Sequence, residues 1–85
     1  MKITIKFFAS LRETLKTSEE QFDVPAPVKT LTELRHHLMG RGESWSEALA
    51  EGKAVRMALN QDLCQESAAL SEGCEVAFFP PVTGG

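Results

Sequence analysis

The sequence predicts a small two-layer α+β domain, and three observations lead there. Short alternating segments rich in Ile, Val and Phe stand near both ends of the chain. Between them, Leu31, Leu34 and Leu38 recur at helical spacing behind a capping sequence. A length of 85 residues allows one core, hence a single domain over residues 1–85 with 80–85 as an extended tail. A helix with one apolar stripe and a sheet with one apolar face bury each other in two layers.

Lys2 to Phe8 alternates as a half-buried strand, with Ile3, Ile5 and Phe7 on one face and Lys2, Thr4, Lys6 and Phe8 on the other. Ala9 to Leu15 reads as a short helical turn, Ser10 offering a cap and Leu11 and Leu15 lying four apart. Thr17 to Glu20 is polar and reads as a turn. Gln21 to Val24 makes a second strand, ended by Pro25 and Pro27. Thr30 and Glu33 form a capping box that starts the main helix, and Gly40 and Gly42 end it. A second such pair, Ser44 and Glu47, opens a shorter helix that carries Trp45, Ala48 and Leu49 and closes at Gly52. Val55 to Leu59 is a third strand and Asn60-Gln61-Asp62 a turn. Leu63 to Leu70 holds a short strand or irregular edge. Leu70-Ser71-Glu72-Gly73 turns into the last strand, Glu75 to Phe79. If the first and last strands pair in parallel, as in ubiquitin-like β-grasp folds, Phe8 and Phe79 sit together on the solvent face. Both phenylalanines packed under a loop is the alternative.

Composition limits what such a domain does. The formal net charge is −3, and the lysines and arginines are scattered singly, which argues against nucleic-acid binding. No apolar run approaches the roughly 20 residues of a transmembrane helix, so no membrane role is expected and the setting is cytoplasmic. Two cysteines, Cys64 and Cys74, are too few for a secreted disulfide framework and are not spaced as a redox pair. Cys74 reads as a small semi-buried filler at a strand start; a sulfur-bearing or resolving role is the alternative. His36 and His37 are adjacent on a helix and so do not face each other, and no third ligand stands at useful spacing. No metal and no stably bound cofactor are expected. A chain this small cannot also enclose a deep pocket, and no catalytic apparatus stands out in it.

The ending F-F-P-P-V-T-G-G carries the functional signal. Pro80 and Pro81 stop the last strand because neither donates a ladder hydrogen bond, and paired prolines favour a stiff extended exit. Gly84 and Gly85 carry no side chains, so their backbone enters a slot too narrow for other residues. A chance Gly-Gly end is expected in about 0.5% of chains at average glycine usage. The probe delivers the α-carboxylate of Gly85, an anion at neutral pH. A frayed terminus is the bland alternative.

This ending, with the opening I-x-I-K-F-F-A-S-L-R-E, resembles the small subunits of molybdopterin synthase, ubiquitin-like sulfur carriers, and the likeness runs along the whole chain. Cys74 departs from it, standing where an acidic residue is more usual. The resemblance implies that an adenylyltransferase related to ubiquitin-activating enzymes uses ATP to adenylate Gly85. A persulfide donor then converts the adenylate to a thiocarboxylate. The charged tail, Pro80, Pro81, Val82, Thr83, Gly84 and Gly85, enters the large subunit, whose residues catalyse sulfur transfer to cyclic pyranopterin monophosphate. The resemblance also implies a partner-binding patch of Phe8, Leu63 and Phe79, with Arg12 nearby, and a heterotetramer of two small and two large subunits. A protein modifier joined to lysines, a carrier serving thiamine or another cofactor, and an inert interaction domain remain as alternatives.

Overall fold

The computed structural model describes residues 1–50, 52–65 and 67–80. Eight elements follow in chain order: β1 (Lys2–Phe7), α1 (Ala9–Leu15), β2 (Glu19–Asp23), α2 (Leu31–Met39), α3 (Glu43–Ala48), β3 (Arg56–Leu59), β4 (Asp62–Leu63) and β5 (Glu75–Phe79). The strands form one mixed sheet in the order β2-β1-β5-β3-β4. β1 and β5 pair in parallel, in the register Ile5 to Val76 and Phe7 to Phe78. The other pairings are antiparallel. The first and last strands therefore lie side by side at the centre, the arrangement of a ubiquitin-like β-grasp.

Alternation decides which face is buried. Ile3, Ile5 and Phe7 of β1 and Val76 and Phe78 of β5 are almost wholly shielded, as are Leu31, Leu34 and Leu38 of α2. Each such leucine contributes about 1.5–3 kcal/mol by leaving water. Phe7 stacks on Phe78 at 5.8 Å and meets the edge of Trp45 at 5.4 Å, so α3 closes the core beside α2. Cys74 fills a buried position before β5.

The capping box at Thr30 and Glu33 forms as the spacing predicts. So does the Asn60-Gln61 turn: both residues take positive φ, 51° and 71°, the primed geometry that suits the twist of a two-residue hairpin. Asn60 also fastens the turn to β5, its side chain accepting from the Glu75 amide at 2.9 Å.

Other boundaries differ, for local reasons. Ser10 is not a cap; Phe8 occupies the N-cap position in extended backbone, and its carbonyl accepts from Leu11 and Arg12. α3 starts after Gly42 rather than at Ser44, because Gly42 takes φ 150° and ψ 179°, a region essentially restricted to glycine. Its end lies at Ala48, before Gly52. Glu19 and Glu20 belong to β2 and not to a turn, since they pair with Lys6 and Ile5 across the hairpin. Val24 falls just outside that strand but stays buried. The 63–70 stretch splits between β4 and a single bridge from Ala69 to Thr30 at the entry to α2.

Candidate functional site

The site begins where β1 and β5 end together. One step beyond the Phe7–Phe78 pair, the Phe8 amide donates to the Phe78 carbonyl at 3.1 Å. Alternation turns Phe8 and Phe79 away from the core that Phe7 and Phe78 enter. Phe8 keeps 44% of its surface exposed, and Phe79 is half-buried. Ala9 then takes φ 53°, a left-handed turn that lifts the chain off the sheet into α1. Pro80 follows Phe79 and is half-buried. The root of the tail is thus flanked by two aromatic residues from opposite ends of the chain.

The open face extends the patch sideways. Ala77 sits opposite Ala58, and Ala58 sits opposite Leu63, which is 71% exposed on the edge strand β4. Directly opposed residues in antiparallel strands share a face. Phe8, Phe79, Ala77, Ala58 and Leu63 therefore share one continuous face. Ala77 is buried there, a small side chain shielded between larger neighbours. Across β1 the same face becomes polar: the Lys6 ammonium lies 3.2 Å from the Glu75 carboxylate and 3.9 Å from that of Glu19. Gln21 donates to the Thr4 hydroxyl at 2.8 Å.

Arg12 is exposed on α1, its amide bonded to the Phe8 carbonyl at 3.4 Å. A groove of about 300 Å³ opens beside Pro80, between α1, α3 and residues 53–55, with Leu11 and Val55 in its lining. Pro81, Val82, Thr83, Gly84 and Gly85 lie outside the described residues.

Sequence reading missed Arg35. It is 97% buried, and its guanidinium donates to the carbonyls of Leu49 and Ala50, each at 2.7 Å, and of Lys53 at 3.3 Å. These carbonyls follow the end of α3, where helix geometry leaves acceptors without intrahelical partners. One signal was available: residues 31, 34, 35 and 38 complete a helical stripe, so a charge at 35 has to be buried. Arg35 ties α2 to the segment that enters β3.

The remaining candidates are the cysteines and the histidine pair of α2. Burial pushes the Cys64 thiol up, with a backbone hydrogen bond from Leu59 opposing it, which disfavours a nucleophilic thiolate. His36 and His37 are exposed on α2. Among the described residues, no group of three or more His, Cys, Asp or Glu side chains converges as a metal site, and no helix is long and apolar enough to cross a membrane.

Comparison with known proteins places this geometry. The ThiS family profile matches residues 5–85. The chain is 42% identical over 83 residues, 98% of its length and 99% of the relative's, to a protein of Escherichia coli (strain K12) named molybdopterin synthase sulfur carrier subunit. Among solved structures, SAMP1 from Haloferax volcanii superposes with a TM-score of 0.80 at 24% identity, covering 100% of both chains, a likeness of fold. A chain in the complex of subunits 1 and 2 of the molybdopterin-converting factor from Helicobacter pylori 26695 is 27% identical, with a TM-score of 0.68 and 100% of both chains covered. The chain belongs to the ThiS family, with full-length similarity to a molybdopterin synthase sulfur carrier subunit.

Proposed function

We propose that this protein is the sulfur carrier subunit of a molybdopterin synthase, acting in the cytoplasm in molybdenum cofactor biosynthesis. The observation that carries this reading is the parallel β1–β5 pairing, which sets Phe8 and Phe79 at the root of the F-F-P-P-V-T-G-G tail. The carrier named in Escherichia coli, similar over nearly the whole chain, supports the same role.

The chemistry runs through the Gly85 carboxylate. A carboxylate resists nucleophilic attack, so an activating enzyme of the ubiquitin-activating kind transfers AMP from ATP to it and releases pyrophosphate. The outer sulfur of a persulfide attacks the acyl carbon, and AMP leaves with the bridging oxygen. A thiol then cleaves the donor's original sulfur–sulfur bond, leaving a thiocarboxylate on Gly85 and a disulfide on the donor side. ATP is consumed by the activating enzyme, and this chain holds no resident cofactor.

Docking through Phe8, Leu63 and Phe79, with Arg12 at the margin, presents the tail to the large subunit. Paired prolines such as Pro80-Pro81 favour an extended exit, Val82 and Thr83 add length, and Gly84 carries no side chain to hinder passage through a narrow entrance. The large subunit supplies the groups that catalyse sulfur transfer to cyclic pyranopterin monophosphate. Water then returns Gly85 to the carboxylate for another round, and two transfers complete a dithiolene.

Intact mass after incubation with ATP, the activating enzyme and a persulfide donor tests this reading. The expected result is a gain equal to replacing one oxygen by sulfur, absent when Gly85 is deleted although docking persists. Unchanged mass with active enzyme and donor would overturn the sulfur mechanism, and ladders of lysine conjugates would instead identify a protein modifier.

A further inference from the structure

Among the described residues of the sheet's open face, Lys6 has carboxylate partners and Arg56 has none. Lys2 lies opposite Asp23, and Lys6 lies opposite Glu19 and reaches Glu75 at 3.2 Å. These pairs occupy the β2 side of the face. On the apolar side Arg56 stands directly opposite Phe79, exposed, with no carboxylate partner among the described residues. Arg56 adds a positive charge to this apolar part of the face in a chain of net charge −3.

The neighbouring floor has a definite shape as well. Ala58 and Ala77 face each other two pairs along from Arg56 and Phe79, on the same face, with Leu63 beyond Ala58. Both alanines are small and largely shielded by their larger neighbours.

We propose that Arg56 is a specificity contact for the docked subunit, receiving a carboxylate of the partner while an apolar side chain of that partner settles over Ala58 and Ala77. This inference rests on the reading that the open face docks the large subunit, and it names the chemistry that face selects. An apolar surface alone accepts many partners. A cation beside it favours an acid-bearing one and repels a basic one, so the charge contributes discrimination and encounter rate. On the β2 side the Lys6 ammonium is already engaged by Glu19 and Glu75, so the contact falls on β5, β3 and β4.

Titration calorimetry of the full chain against its cognate large subunit, at low and high salt, tests the assignment. Arg56→Met keeps the aliphatic stem and removes the charge. It should weaken binding about tenfold at low salt, flatten the salt dependence and leave the melting temperature in place. Arg56→Glu should weaken binding further, and Arg56→Lys should retain most of it. Gln21→Glu, on the polar side of the same face, should bind as the parent does. Unchanged affinity of Arg56→Met alongside weakened binding of Phe79→Ala would overturn this inference and leave the docking surface standing. Unchanged affinity of both would overturn the docking surface and the inference with it.

Discussion

Arg35 shows what a single residue decides in this fold. A buried guanidinium is tolerated only where its donors are satisfied, and here backbone carbonyls after α3 satisfy them. The planar fork reaches Leu49 and Ala50 with separate nitrogens, an arrangement that a lysine ammonium does not reproduce. Arg35→Ala should therefore cost about 3 kcal/mol of stability, since it deletes three hydrogen bonds and takes from the Leu49 carbonyl its side-chain donor, while Ala50 and Lys53 keep backbone donors. Arg35→Lys should recover only part of that loss. Urea denaturation checks both, and a loss under about 0.5 kcal/mol for Arg35→Ala, the range of ordinary surface changes, would refute the clamp.

At the scale of elements, the start of α2 couples stability to pH. The Glu33 carboxylate accepts from the amides of Lys29 at 2.9 Å and Thr30 at 3.1 Å, and the Thr30 hydroxyl accepts from the Glu33 amide at 3.2 Å. The Lys29 amide is the main cause holding the Glu33 carboxyl below its ordinary value of 4.5; desolvation opposes it, and Thr30 adds to the lowering. A carboxyl with a depressed folded-state pKa adds stability above its unfolded value. That stability is lost as pH falls through the folded one. Glu33→Gln should melt earlier than the parent at neutral pH, and the gap should close as pH falls below 4.5. A gap independent of pH in thermal melts would remove the charge from the account.

At the scale of the molecule, the parallel β1–β5 pairing brings Phe8 and Phe79 to one face, the face proposed to dock the partner. Phe8 and Phe79 point away from the core, so changing them should disturb binding far more than folding. Phe79→Ala should cost about 2 kcal/mol of affinity for the large subunit, as aromatic anchors at interfaces do, and Phe8→Glu at least as much. Calorimetry for affinity and a melting curve for stability separate the two effects. Equal losses in both would make the phenylalanines structural supports instead.

Much of this was legible in the chain, where local periodicity and capping chemistry act over a few residues. The alternation of Ile3, Ile5 and Phe7, the leucine stripe of α2, the Thr30–Glu33 box and the Asn60-Gln61 turn all depend on near neighbours. Element ends were less legible: Gly42 moved the start of α3, and cross-strand pairing drew Glu19 and Glu20 into β2. Within the site, alternation picked out Phe8 and Phe79, but Leu63 and Arg12 came only from family likeness. The sequence by itself determined the apolar alternation of the strands, the leucine stripe of α2 and the Gly84-Gly85 ending. Tertiary structure alone decided that Arg56 faces Phe79, that Leu63 continues the same surface through Ala58, and that Arg35 finds its carbonyls. The reason is that strand register and a buried donor's partners depend on segments far apart in the chain, which no local pattern encodes.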